Sequence, residues 1–162
     1  MILLLAAALG LTLGASRSQV IRTMEVAGIS CRAGSGRVLE CVRAPEEVPG
    51  ADGLRLEFDK SGLTRAVLSI EAGAPTYAAF HARYQEMKRW LSTRHGEPKT
   101  SLEYVERSYV LADDQYQGIA DRKGEYTSTW KTPELDLKLS LYGEKGKVRL
   151  ALSCERQRGA PH

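Results

Sequence analysis

Leu135-Asp136-Leu137-Lys138-Leu139-Ser140-Leu141-Tyr142 puts a leucine at every second position, with a polar or amphipathic residue between each pair. Successive side chains of a strand point to opposite faces, so this period of two predicts a strand with one buried and one wet face. Gly143-Glu144-Lys145-Gly146 follows as a hairpin loop. Val148, Leu150 and Leu152 then resume the alternation up to Cys154. Upstream, Tyr126 to Trp130 reads as another strand.

The same pattern recurs earlier. Leu54-Arg55-Leu56-Glu57-Phe58 alternates, Asp59-Lys60-Ser61-Gly62 makes a tight turn, and Thr64 to Ile70 returns as the partner strand. Val26 to Cys31 and Val38 to Val42 read as two further strands around a Gly34-Ser35-Gly36 turn, and Pro45 to Asp52 reads as a loop. Between the two strand groups the period changes. Tyr77, Phe80, Tyr84, Met87 and Leu91 recur at spacings of three and four, and Trp90 widens the stripe. This is one apolar face of a helix. Pro75 or Thr76 suits its start, and His95-Gly96-Glu97-Pro98 stops it. Residues 99–124 follow neither period, and a short strand with a turn of helix is expected there.

Hairpins imply antiparallel pairing, and a one-sided alternation implies a sheet that needs a cover. The expected fold is therefore α+β: a two-layer sandwich in which an antiparallel sheet of about 5–7 strands is covered by one long amphipathic helix over about 76–95.

Residues 2–15 contain only Ile, Leu, Ala, Gly and one Thr. Fourteen residues fall short of the roughly 20 that cross a bilayer, and match the 7–15 apolar residues of an export signal. Gly14 and Ser16, or Ser16 and Ser18, are small pairs suited to precede a cut. No Lys or Arg follows Met1, which departs from the usual signal. The expectation is a signal over 1–18, one α+β domain over 19–162, a periplasmic or secreted location, and no permanent membrane anchor. The stretch 1–16 is uncharged, so its removal leaves the net charge at +3 and makes the rest more polar than the overall 43% hydrophobic content suggests.

In an oxidising compartment, three cysteines allow one disulfide and one thiol. If the turn centres on Gly36, Cys31 and Cys41 are equidistant from it and face each other. Cys31–Cys41 is the favoured pair, with Cys41–Cys154 and Cys31–Cys154 left open.

The combination of the 54–70 hairpin, the helix ending in His95-Gly96-Glu97-Pro98, and Trp130 ahead of Lys131-Thr132-Pro133-Glu134-Leu135 resembles small secreted bacterial domains of unassigned function. Gly28-Ile29-Ser30-Cys31 and Cys41 resemble their first strands. The likeness covers about residues 26–154 and implies a periplasmic or secreted α+β domain. It brings no catalytic residues.

The chemistry-bearing residues point the same way. With 23 Lys and Arg against 20 Asp and Glu, interleaved along the chain, there is no electrostatic footprint for nucleic acid. His81 and His95 are too far apart on one helix to share a metal, and no C-x-x-C is present. The acid groups Asp113-Asp114 with Asp121, and Glu46-Glu47 with Asp52, lack the EF-hand spacing and read as solvated loops. The chain contains neither G-x-S-x-G, nor a Walker loop, nor G-x-G-x-x-G. No catalytic residue, metal ligand or cofactor is therefore expected. Arg83, Lys88, Arg89 and Arg94 make a cationic helix stripe, read as a solvated face. Tyr supplies 7 of the aromatics, against 2 Trp and 2 Phe, which suits either a core rim or an interface. The expected function is an exported, non-enzymatic domain that binds a protein or envelope component through a sheet edge or open face. The alternative is a small-molecule carrier with a pocket near Tyr84, Trp90 and Trp130. An enzyme with an unrecognised site ranks last.

Overall fold

A computed structural model of the chain describes residues 12–44 and 46–157. Its elements run α1 (Arg17–Val26), β1 (Cys31–Ala33), β2 (Val38–Cys41), β3 (Ala51–Asp59), β4 (Gly62–Ile70), α2 (Tyr77–His95), β5 (Thr100–Val105), α3 (Arg107–Leu111), α4 (Gln115–Ala120), β6 (Gly124–Lys131), β7 (Leu135–Glu144) and β8 (Lys147–Arg156). The eight strands form one open antiparallel sheet in the order β1-β2-β3-β4-β8-β7-β6-β5.

This corrects the expectation of about 5–7 strands under one long helix: the fold is α+β but dominated by its sheet. The reason is geometric. A helix about 10 Å across spans only about two strand spacings of roughly 4.8 Å, so no single helix covers eight strands. The chain divides into two compact units. The first holds α1, β1 to β3 and nearly all of β4, with residues 132–136 and the segment from Ser153. The second holds residues 70–131 and 137–152.

In the first unit, Ser16 caps α1. Its hydroxyl accepts from the Gln19 N–H, and the Gln19 side chain accepts from the Ser16 N–H. This reciprocal box satisfies two of the donors a helix start leaves open. Val20 and Met24 are the buried residues of α1. The expected strand from Val26 is therefore corrected. Val26 ends a helix, Gly28 turns the chain at φ +71°, and only Cys31–Ala33 pairs with β2. The β1–β2 register sets Cys31 opposite Cys41, and the two are disulfide-bonded. Of the expected export signal, residues 1–11 lie outside the described residues. Gly14, placed beside the expected cut, donates its N–H to Leu63 O, and Leu63 donates to Ala15 O. Gly62 sits at φ +106°, where a Cβ would run into the Gly14 carbonyl.

In the second unit, α2 matches its sequence reading. Thr76 accepts from the Ala79 N–H, Gly96 ends the helix at φ +80°, and Tyr84, Met87 and Leu91 are buried. Leu137, Leu139 and Leu141 of β7 are buried at the predicted alternate positions. Gly143 differs from expectation. It belongs to β7, and a Cβ there would overlap the Ile119 carbonyl at the end of α4. The turn itself is Lys145-Gly146, both at positive φ as a two-residue hairpin turn requires.

Candidate functional site

Three successive inward residues of β6 tie that strand to α2 and to the turn that ends it. The Tyr126 hydroxyl meets that of Tyr77 at 2.5 Å, the Ser128 hydroxyl meets that of Tyr84 at 2.7 Å, and the Trp130 indole donates to Gly96 O at 2.9 Å. Alternation along β6 makes residues 126, 128 and 130 share one face, and helical spacing makes Tyr77, His81, Tyr84 and Lys88 share one stripe. The two periodicities thus mesh along a seam. His81 stacks on Tyr77 at 5.6 Å and meets Tyr126 edge-on at 5.8 Å, so its ring lies in the seam.

The seam continues onto β5, which pairs with β6 in the register Ser101↔Ser128 and Glu103↔Tyr126. Ser101 Oγ lies 3.0 Å from Ser128 Oγ. Lys88 donates to Ser101 Oγ at 2.7 Å and to Glu103 Oε1 at 3.0 Å, while Gln85 donates to both Glu103 oxygens at 3.1 Å. Burial pushes the Glu103 carboxyl up, but the bonds from Lys88 and Gln85 and the Lys88 charge bring it below its ordinary value. Burial pushes the Tyr84 hydroxyl up to about 12, so it stays a neutral hydrogen-bonding group.

A serine beside a lysine has the outline of a nucleophile with its base, but that chemistry needs a neutral amine. Lys88 instead forms an ion pair with Glu103 at 3.0 Å and donates to Ser101 Oγ rather than accepting from it. The other nucleophile candidate, Cys154, is buried, and burial pushes its thiol up to about 12, far from a reactive thiolate. Among the described residues no three His, Cys, Asp or Glu side chains converge as a metal site, and no helix is long and apolar enough to cross a membrane. Asp121 instead accepts from Tyr109 at 3.0 Å and Gln117 at 2.7 Å.

The seam fixes β5 from one face only. β5 is the last strand of the sheet, and its residues from Thr100 to Tyr104 are all exposed. Leu102 and Tyr104, which alternate with the seam residues, are 52% and 51% exposed. Val110 and Leu111 of α3 are also exposed. Beside Tyr104 an open cleft of about 600 Å³ is lined by Glu106, Arg122, Lys123, Glu125 and Tyr142.

Tyr84, Trp90 and Trp130, the candidate pocket or core aromatics, differ in burial. Tyr84 and Trp130 are 0% and 1% exposed, so both rings are covered by protein atoms. Trp90 is half-buried, with the Arg94 guanidinium 4.1 Å over its ring. The cationic stripe is engaged locally. Arg83 pairs with Glu86 at 2.8 Å, Lys88 with Glu103, and Arg89 and Arg94 donate to carbonyls one turn back. Ser101, Glu103 and Ser128 were not singled out from the sequence. Ser128 was visible only as the small residue between Tyr126 and Trp130 at strand spacing. No family model matches the chain, and neither a curated protein nor a solved structure matches it.

Proposed function

We propose that the protein is an exported, non-enzymatic binding module that takes an extended segment of a protein partner onto the outer edge of β5. The observation carrying this reading is an edge strand of six residues with Leu102 and Tyr104 half-exposed on its open face. An unpaired edge offers a row of backbone donors and acceptors, and side chains on alternate positions supply specificity. The seam supports the same reading, because a strand already held in place costs less to dock against than a mobile one. The disulfide and the apolar run at residues 2–15 support a periplasmic or secreted location, as does the resemblance to small secreted bacterial domains.

The test compares wild type with Leu102→Lys/Tyr104→Lys. Both positions face solvent, so the fold is retained. Amide exchange at Ser101, Glu103 and Val105 is expected to be slow in wild type, either by itself or once envelope extract is added, and fast in the double variant under both conditions. Exchange at those amides that is equally fast in both forms with and without extract overturns the reading.

A further inference from the structure

The two ends of the sheet differ in a way that bears on what occupies β5. β1 is three residues long and is cross-linked to its neighbour through Cys31–Cys41. Shortness is one of the ordinary protections of an edge. β5 is twice as long, and Thr100–Val105 contains no Pro and no Lys. Pairing parity tells which backbone groups point outward. Glu106 donates to Lys123 O, and the β5–β6 register keeps the same sum along the strand, so Leu102 and Tyr104 turn their N–H and C=O toward β6. Ser101, Glu103 and Val105 turn theirs away from the sheet.

Resting on the reading of β5 as an acceptor edge, we propose that its occupant is a second copy of this chain, paired antiparallel with Leu102 on the twofold axis. Two symmetric registers bring the outward groups of the strand centre together. An axis through Glu103 sets that carboxylate directly against its copy, which is unfavourable. An axis through Leu102 sets Glu103 of each chain opposite Ser101 of the other. There it meets Lys88, whose ammonium lies 2.7 Å from Ser101 Oγ and 3.0 Å from its own Glu103. Two lysines and two glutamates then alternate across the joint. On the opposite face, Leu102 meets its copy at a non-hydrogen-bonded position, where side chains approach closest, and Thr100 faces Tyr104. A twofold, isologous contact of this kind closes on itself and stops at the dimer.

The experiment uses the full chain and its Leu102→Cys and Glu103→Cys variants. Light scattering of the wild type is expected to give a mass near twice 17.8 kDa. Mild oxidation is expected to cross-link Leu102→Cys into a dimer and to leave Glu103→Cys uncross-linked. Cys154 is buried and the other two cysteines are bonded, so the new thiol reports alone. Leu102→Lys, with two ammonium groups on the axis, is expected to weaken dimerisation at least tenfold while circular dichroism stays unchanged. Cross-linking through Glu103→Cys instead overturns the register. A monomer with no cross-link overturns self-pairing. If the β5 amides of that monomer still slow in envelope extract, the acceptor-edge reading survives, and if they do not, both fail.

Discussion

The hydroxyl pair Tyr84–Ser128 is the most buried polar joint of the second unit, so its removal tests how the seam is held. Both residues are 0% exposed and their oxygens are 2.7 Å apart. A net hydrogen bond contributes about 1 kcal/mol, but an orphaned buried hydroxyl costs roughly 1–3 kcal/mol. Tyr84→Phe leaves Ser128 with a second partner, Ser101 at 3.0 Å, so the expected loss is about 1 kcal/mol. Ser128→Ala removes both contacts of the Ser128 hydroxyl, to Tyr84 and to Ser101, and is expected to cost more, about 2 kcal/mol. In the double variant neither group is left orphaned, so the two losses fall short of additive by about 1 kcal/mol. Urea unfolding of the wild type, both single variants and the double variant measures the cycle. Additive losses within about 0.3 kcal/mol would refute the reasoning, as would a larger loss for Tyr84→Phe than for Ser128→Ala.

Gly62→Ala and Gly28→Ala contrast crowding with conformation alone. Both sit at positive φ, but only at Gly62 does a Cβ meet backbone atoms, the Gly14 C among them at 2.6 Å. Thermal unfolding is expected to show about 1 kcal/mol lost at Gly28 and clearly more at Gly62, and equal losses would contradict the placement of Gly14 against β4. Replacing Cys31 and Cys41 by Ser opens a loop of sequence separation 10 and is expected to cost about 3 kcal/mol by chain entropy, read from the urea midpoint. In the native protein Cys154 is expected to resist thiol reagents until denaturant is added, because it is buried; rapid native labelling would show otherwise. The Glu103 carboxyl titrates lower folded than its ordinary value of 4.5. Its contribution is therefore present above that value and lost as pH falls through the folded one. Stability measured from about pH 6 down to about pH 3 is expected to fall less steeply in Glu103→Gln, and an identical slope would contradict the pairing with Lys88 and Gln85.

What the sequence shows of this fold follows from how local each signal is. The alternation over Leu135–Tyr142 and the three-and-four spacing over Tyr77–Leu91 are read within one element, and both elements form there. α1 was legible in part, since Ser16-Arg17-Ser18-Gln19 carries the spacing of a capping box. β1 is too short at three residues to carry a period. β5 shows no buried alternation, because its outer face has no cover and its inner face carries the polar Ser101 and Glu103 before the one apolar residue Val105. The seam depends on which strand α2 lies over and in what register. Residues 44 apart, such as Tyr84 and Ser128, leave no local mark. Strand order is equally non-local, so nothing in Thr100–Val105 by itself announces an edge.

The polar lining of the seam is itself an argument about function. An apolar inner face on β5 would bury more surface and hold the strand by a non-directional force. Ser101, Glu103 and the Thr100–Thr129 hydroxyl contact at 2.6 Å hold it by directed bonds that fix register as well as position. A slip of one residue would turn Leu102 inward and Glu103 outward, breaking the contacts with Lys88 and Gln85. Strand pairing by an incoming chain needs the same thing: outward backbone groups at known positions and side chains on a known face. An edge strand whose register is fixed from behind is thus suited to accept one partner register over its neighbours. Lys88 and Glu103, paired at 3.0 Å between α2 and β5, are the contacts that hold that register.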